Sequence, residues 1–322
     1  MVNREIAERK GSSKLRIAYA DCTSSYVTEQ VKDTLGTRVA DEGNPTLRRR
    51  ELGFLLRQLR TDRGLSVDVV AERAMFSQTK LSRLETGRVG ASPRDIRDLL
   101  LVYGITDPAK REQLMALARE GKQRAWWQGL DLPYATYVGL EAEASSIRDY
   151  NTDIVNGLLQ VDGYARAILE AGEPPQDPAT IDNRADVRMK RQALLTRDGG
   201  PVFRFILDEG ALHRPVGGPA VMRAQLAHLT EVAKLPSVTF RIIPLSIGAH
   251  PALDSVFVIV DFDNTSVNDV VYVEGAVGNI YLENAADLER YRKMWSRLEA
   301  IALSPEESAS LVSSISSNYE GG

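Results

Sequence analysis

The sequence is short of the residues that usually carry covalent or metal chemistry. One cysteine, Cys22, stands in 322 residues, which rules out an internal disulfide and any zinc site built on thiolates. The three histidines, His213, His228 and His250, are far apart and never fall at His-x-x-x-His spacing, so no metal centre is expected. A glycine-rich phosphate loop and a Gly-x-Ser-x-Gly nucleophile elbow are both missing. No stretch approaches the roughly 18–20 apolar residues of a membrane helix. The opening MVNREIAERKG mixes both signs of charge without an apolar core, so it does not read as a secretory signal. These absences predict a cytoplasmic protein of a reducing compartment, with no enzyme activity, cofactor, metal or membrane contact.

Ordinary composition accompanies them: 43% hydrophobic, 26% charged, and a net charge of −4. The length suggests about two domains. The charge is unevenly distributed. Residues 1–43 carry 7 Lys/Arg and 7 Asp/Glu, residues 44–125 carry 17 and 10, and residues 126–322 carry 16 and 27. A module of net +7 is therefore followed by one of net −11, the pattern of a nucleic-acid-binding part beside a part with another task. Residues 1–43 read as a flexible arm, with LRIAYA (Leu15 to Ala20) the one strand-like segment in it.

Within 44–125 the apolar period is helical. Leu52, Leu55, Leu56 and Leu59 form one stripe of a first helix that Gly64 closes. Ser66 caps a second helix with Val67, Val70, Ala71 and Ala74 on one face. Ser77 caps a third, QTKLSRLE, with Leu81 and Leu84 inward and Gly87 at its end. Ser92-Pro93 opens a fourth helix and Pro108 a fifth. Five short helices with two central ones joined tightly make a helix-turn-helix bundle, whose second central helix enters a DNA major groove. The polar face of that helix is Gln78, Thr79, Lys80, Ser82 and Arg83. Gln pairs with adenine and Lys or Arg with guanine. Ser66 and Ser77 mark helix N-termini able to meet phosphate, and Arg57, Arg60 and Arg88 are candidate backbone contacts.

LSVDVVAERAMFSQTKLSRLETGR resembles the helix-turn-helix of the xenobiotic-response-element family of transcriptional regulators, relatives of phage Cro and repressor domains. The resemblance implies that Gln78, Thr79, Lys80 and Arg83 read bases and that Glu85, in the closing Glu-x-Gly, is structural. Two positions depart from the family. Val67 stands where a phosphate-touching Gln is common, and Met75-Phe76 stand where the turn often has Gly, which implies a slightly different turn.

Residues 126–322 mix helices and strands, the mark of an α+β domain with a small sheet. Trp126-Trp127 read as buried anchors at its start. Tyr137 to Tyr150, Gly157 to Gly172 and the segment ATIDNRADVRMKRQALLTRDGG read as three helices, the last with Arg184, Arg188 and Arg191 on one basic face. PVFRFILDEG, VTFRIIPL, SVFVIVDF and VVYVEG read as strands, with a helix in PAVMRAQLAHLTEVAKL, a short GNIYLE segment, and closing helices at Ala285 to Ala302 and Pro305 to Ser316. Asp208-Glu209 and Asp261-x-Asp263 read as surface acids, and His213 and His250 as loop residues or pocket liners.

The run WWQGL, YVGLEAEASSIRDY, GLLQVDGYARAIL, RMKRQALLTR, DEGALHRPVGG, IIPLSIGAH, VVYVEG and ALSPEESASL is similar to the C-terminal domain of WhiJ-like, antitoxin-type regulators of actinobacteria, with Asn156-Gly157 standing where that family commonly has Pro-Gly before Leu-Leu-Gln. With the helix-turn-helix, the likeness spans nearly all of residues 45–316. It implies a DNA-binding regulator, with repression the expected direction, whose C-terminal domain receives a signal or a small partner protein; a homodimer is expected because one short recognition helix rarely gives enough specificity and two half-sites supply it. A small-molecule pocket in 126–322 is the alternative way of gating it.

Overall fold

The computed structural model describes residues 45–319 apart from 124, 126, 128–131 and 276–277. The arm of residues 1–43, with Cys22 and the LRIAYA segment, lies outside the described residues, as does Trp126.

Five helices open the described chain: α1 (Pro45–Thr61), α2 (Val67–Arg73), α3 (Gln78–Glu85), α4 (Pro93–Val102) and α5 (Pro108–Glu120). Their boundaries follow from the capping residues. The hydroxyls of Ser66, Ser77 and Ser92 accept bonds from the backbone N–H groups of Val69, Lys80 and Asp95, and the Asp95 carboxylate accepts in return from the Ser92 N–H. Leu52, Leu56, Val70, Leu81, Leu84, Ile96, Leu99, Leu100 and Leu114 meet in one core. Helix α1 crosses α3 unusually closely. A Cβ on Gly53 would stand 2.6 Å from the carbonyl oxygens of both Leu84 and Glu85. Gly87, with φ of 65°, brings the chain after α3 back against α1, where a Cβ would lie 2.8 Å from Arg50.

The second part is built on six strands: β1 (Ser146–Asn151), β2 (Val202–Asp208), β3 (Val238–Ile243), β4 (Phe257–Asp261), β5 (Val270–Gly275) and β6 (Gly278–Leu282). Their spatial order is β3-β2-β1-β4-β5-β6. The first three are parallel, and β4 to β6 return as an antiparallel meander. Parallel neighbours need crossovers. The β1–β2 crossover carries α7 (Asp162–Glu170) and α8 (Pro178–Arg191), and the β2–β3 crossover carries the short α9 (Gly210–His213) and α10 (Pro219–Val232). Side chains alternate across the sheet. Ile147, Phe203, Phe205, Phe240, Val258 and Tyr272 pack with α6 (Ala135–Glu143), α10 and α12 (Pro305–Ser317). Tyr150, Ile206, Ile243, Ile259 and Val271 pack with Leu288, Trp295 and Leu298 of α11 (Ala285–Ile301). Trp127 is buried in the first of these clusters.

Two sequence readings are corrected. Tyr137 to Tyr150 is not one helix: α6 ends at Glu143, Ala144 turns extended, and residues 146–151 become the central strand β1. Leu140, Ala144 and Ile147 fit a helical period, but Ile147 is held by pairing to Phe203 and Val260 on both sides, and sheet pairing overrides local period. Gly157 to Gly172 is divided into a 3₁₀ turn at Gly157–Leu159 and α7, with Gln160 extended between them. The basic face of α8 is not solvated. Arg191 is buried, and Arg188 donates to the Gln160 side chain at 3.0 Å.

Candidate nucleic-acid interface

Helix α3 has one apolar face sunk in the core through Leu81 and Leu84, and an opposite face of Gln78, Thr79, Ser82 and Arg83 that is exposed. Arg57 on α1 and Arg88 after α3 are exposed as well. Ser66 and Ser77 hold their predicted capping places at the ends of α2 and α3.

Two of the candidate cations are committed within the protein. Arg60 lies against Glu85 in a two-pronged pair of 2.7 and 2.9 Å and donates to the Leu65 carbonyl at 3.0 Å. The bond to Glu85 raises the guanidinium pKa, so Arg60 stays charged within this pair. Glu85, itself buried, is structural, as the sequence reading had it. Lys80 is paired with Asp95 at 2.6 Å and its ammonium stands 3.8 Å from the centre of the Phe76 ring. Burial alone would raise the Asp95 carboxyl, but bonds from Lys80 and Ser92 outweigh it and hold the carboxyl below its ordinary range. Lys80 thus ties the start of α3 to the start of α4.

In the turn between α2 and α3, Met75 takes φ of 56°, the left-handed conformation a glycine would take there, and its side chain is 88% exposed. The turn keeps the glycine-type geometry with a strained residue in it. Met75→Gly is therefore expected to raise stability by about 1 kcal/mol, read as a higher denaturation midpoint, because it relieves the strain and removes a side chain that lies in solvent.

Sequence reasoning missed the junction between the two parts. The N-terminal end of α1 is buried against the second part. Thr46 fills the space over Gly139 of α6, where a Cβ would come within 2.5 Å of its hydroxyl. Arg50 pairs with Glu283 just after β6 at 3.2 Å and stands 5.7 Å from the centre of the Tyr281 ring. From there rings continue inward. Tyr281 is 5.3 Å from Tyr272, Tyr272 stacks on Tyr137 at 4.5 Å, and Arg191 lies 5.5 Å from the Tyr137 and Tyr134 rings. No periodicity marks such a row, because its members come from α1, α6, α8, β5 and β6. A cleft of about 580 Å³ opens beside it, lined by Pro133, Thr136, Glu274, Gly275, Gly278, Asn279 and Tyr281.

Two buried acids lie behind the row. Glu141 receives both prongs of Arg191 at 2.8 and 2.6 Å. Burial alone would lower the Arg191 pKa, yet the Glu141 carboxylate carries it upward. Asp149 of β1 accepts from the side chains of Asn151 and Asn156 and is pushed up to about 7, chiefly by burial, against the two amide bonds and with some help from the Glu141 charge. A carboxyl raised in the folded state favours the fold while protonated, and that contribution is lost as pH rises through about 7. Denaturation midpoints are expected to fall as pH rises from about 4, the ordinary carboxylate value, to about 7 and to level off above it, and the fall should be much smaller in Asp149→Asn.

Asp208, Glu209, Asp261, His213 and His250 have partners close by. Asp261 is held by Arg148 at 2.6 Å and Arg292 at 2.8 Å. His213 bonds Glu209 at 3.1 Å, and His250 lies 3.4 Å from the Tyr150 hydroxyl and 3.6 Å from Asp208. Among the described residues no group of three His, Cys, Asp or Glu could hold a metal ion, and no helix is long and apolar enough to cross a membrane.

A capped pair of short helices, the second with a free polar face, defines a helix-turn-helix protein, the class of fold that DNA-binding regulators use. Residues 51–114 match a helix-turn-helix domain. Residues 134–314, more than half of the chain, match a domain of unknown function, DUF5753, and the chain belongs to that family. No curated protein and no solved structure matches it.

Proposed function

We propose that the protein is a sequence-specific transcriptional regulator of the xenobiotic-response-element, WhiJ-like type. It binds operator DNA as a homodimer and acts as a repressor. The observation that carries this reading is the free face of α3, where Gln78, Thr79, Ser82 and Arg83 are exposed while the other face is locked in the core. Those four residues meet base edges in the major groove, and Arg57 and Arg88 meet phosphates. Lys80 serves by fixing the angle of α3 through Asp95, and Arg60 by holding Glu85. No covalent chemistry is assigned to the chain.

The second domain receives the signal, and a small partner protein is the expected input. A small ligand is the second reading. The cleft beside Tyr281 supports it, since a molecule seated there would press on the residues that hold α1. Titration of each partner class against labelled operator DNA separates the two.

Binding to the chain's own promoter region, followed by fluorescence anisotropy, tests the DNA reading. Arg83→Ala is expected to weaken specific binding by about 10-fold or more, the loss of one good base contact of about 1–3 kcal/mol, while leaving non-specific binding much less changed. Equal affinity of wild type and variant for the operator would remove α3 from the groove.

A further inference from the structure

The six-stranded sheet has two edges, and they are treated differently. At β3 the outward N–H of Ile242 donates to the buried Ser308 hydroxyl at 3.0 Å, and its carbonyl accepts from the Leu303 N–H at 2.9 Å. That edge is covered there by Leu303, between α11 and α12, and by Ser308 of α12. At β6 no backbone hydrogen bond joins the outer side to another described residue. Open edges are normally protected by charge, proline or a bulge. Strand β6 reads Gly-Asn-Ile-Tyr-Leu, with none of these, and Ile280 at its centre is 55% exposed.

The register says which groups face outward. Gly275 pairs with Gly278 across only two residues, so that pair exchanges both of its N–H···O bonds. The phase then alternates. Gly278, Ile280 and Leu282 bond inward to β5, and the N–H and C=O of Asn279 and Tyr281 point out.

We propose that β6 is a self-pairing edge whose occupant is β6 of a second copy of this chain, antiparallel about a two-fold axis through Ile280. Asn279 of one copy exchanges both backbone bonds with Tyr281 of the other, and Ile280 faces Ile280 as a non-bonded pair. The strand carries no charge from residue 278 to 282, so no like charges meet across the axis, and the same patch serves both copies, as a two-fold interface requires. The site is continuous with the junction to the DNA-binding part, because Tyr281 and Glu283 are the residues that hold Arg50 of α1. Joining two copies at β6 thereby fixes the spacing of two α3 helices. This inference gives the proposed homodimer its interface and in that respect rests on the reading above.

The test needs no DNA, so its failure is distinct from failure of the operator reading. Sedimentation of the full chain is expected to give a dimer. Ile280→Lys sets two like charges on the axis without touching the inward ladder, and is expected to raise the dissociation constant at least 10-fold with an unchanged circular-dichroism spectrum. In a Cys22→Ser background, Ile280→Cys is expected to form a disulfide-linked dimer on mild oxidation, since facing non-bonded residues of antiparallel strands lie within disulfide reach. Val202→Cys, also exposed but outside β6, should not. A monomeric wild type, a dimer unaffected by Ile280→Lys, or equal cross-linking at 202 and 280 would each overturn the proposal.

Discussion

Glu141→Ala is expected to destabilise the second domain by about 3–5 kcal/mol, because it leaves the Arg191 guanidinium buried without its counter-charge. Glu141 is fully buried in α6, and Arg191 at the end of α8 is nearly so. The pair is bidentate, and Tyr134 and Tyr137 flank the cation. Water does not screen it as it would a surface pair, whose worth is only about 0–1 kcal/mol. Arg191→Ala is expected to cost about as much. The double variant Glu141→Leu/Arg191→Met should recover much of the loss, since apolar groups of similar size replace both charges. Urea denaturation read by circular dichroism measures all three. A single-variant effect below about 1 kcal/mol would mean that the pair is solvated.

Gly53→Ala is expected to act on the DNA-binding part with comparable clarity. The new methyl group would meet two backbone carbonyl oxygens at 2.6 Å, and backbone cannot rotate aside as a side chain can. Helix α1 must move off α3, at a cost of about 1–3 kcal/mol for overpacking. Because α1 also sets the angle of α3, specific operator binding is expected to fall at least 10-fold. Gly90→Ala is the control. Its methyl group would find its nearest neighbours at 3.6 Å, an ordinary contact, and should change stability by no more than about 0.5 kcal/mol. If Gly53→Ala behaved like Gly90→Ala, the close crossing of α1 and α3 would be refuted.

Much of the first part was legible because its determinants are local. Ser66, Ser77 and Ser92 cap helices wherever they precede an apolar period, and Leu81 and Leu84 define an inner face by spacing alone. The free face of α3 could therefore be named residue by residue. What could not be read was which of the candidate cations are paired within the protein. Arg60 and Glu85 are 25 positions apart and Lys80 and Asp95 are 15 apart, so neither pair falls within one helix. In the second part the strands with strong β-branched runs, β2 to β5, were found, while β1 was taken for helix. SIRDYN contains a buried Asp, and its strand state is imposed by neighbours far along the chain.

The sequence by itself determined the five capped helices of the first part, the strands β2 to β5, the split into a basic helical part and an acidic α+β part, and the polar face of one short helix, since capping, period and charge are all properties of near neighbours. Tertiary structure alone decided the rest. It placed Thr46 over Gly139, Arg50 on Glu283, Arg191 on Glu141, and left the outer side of β6 unpaired among the described residues. Each of these joins residues from separate elements, and such contacts follow from how helices and strands pack, not from the spacing of residues along any one of them.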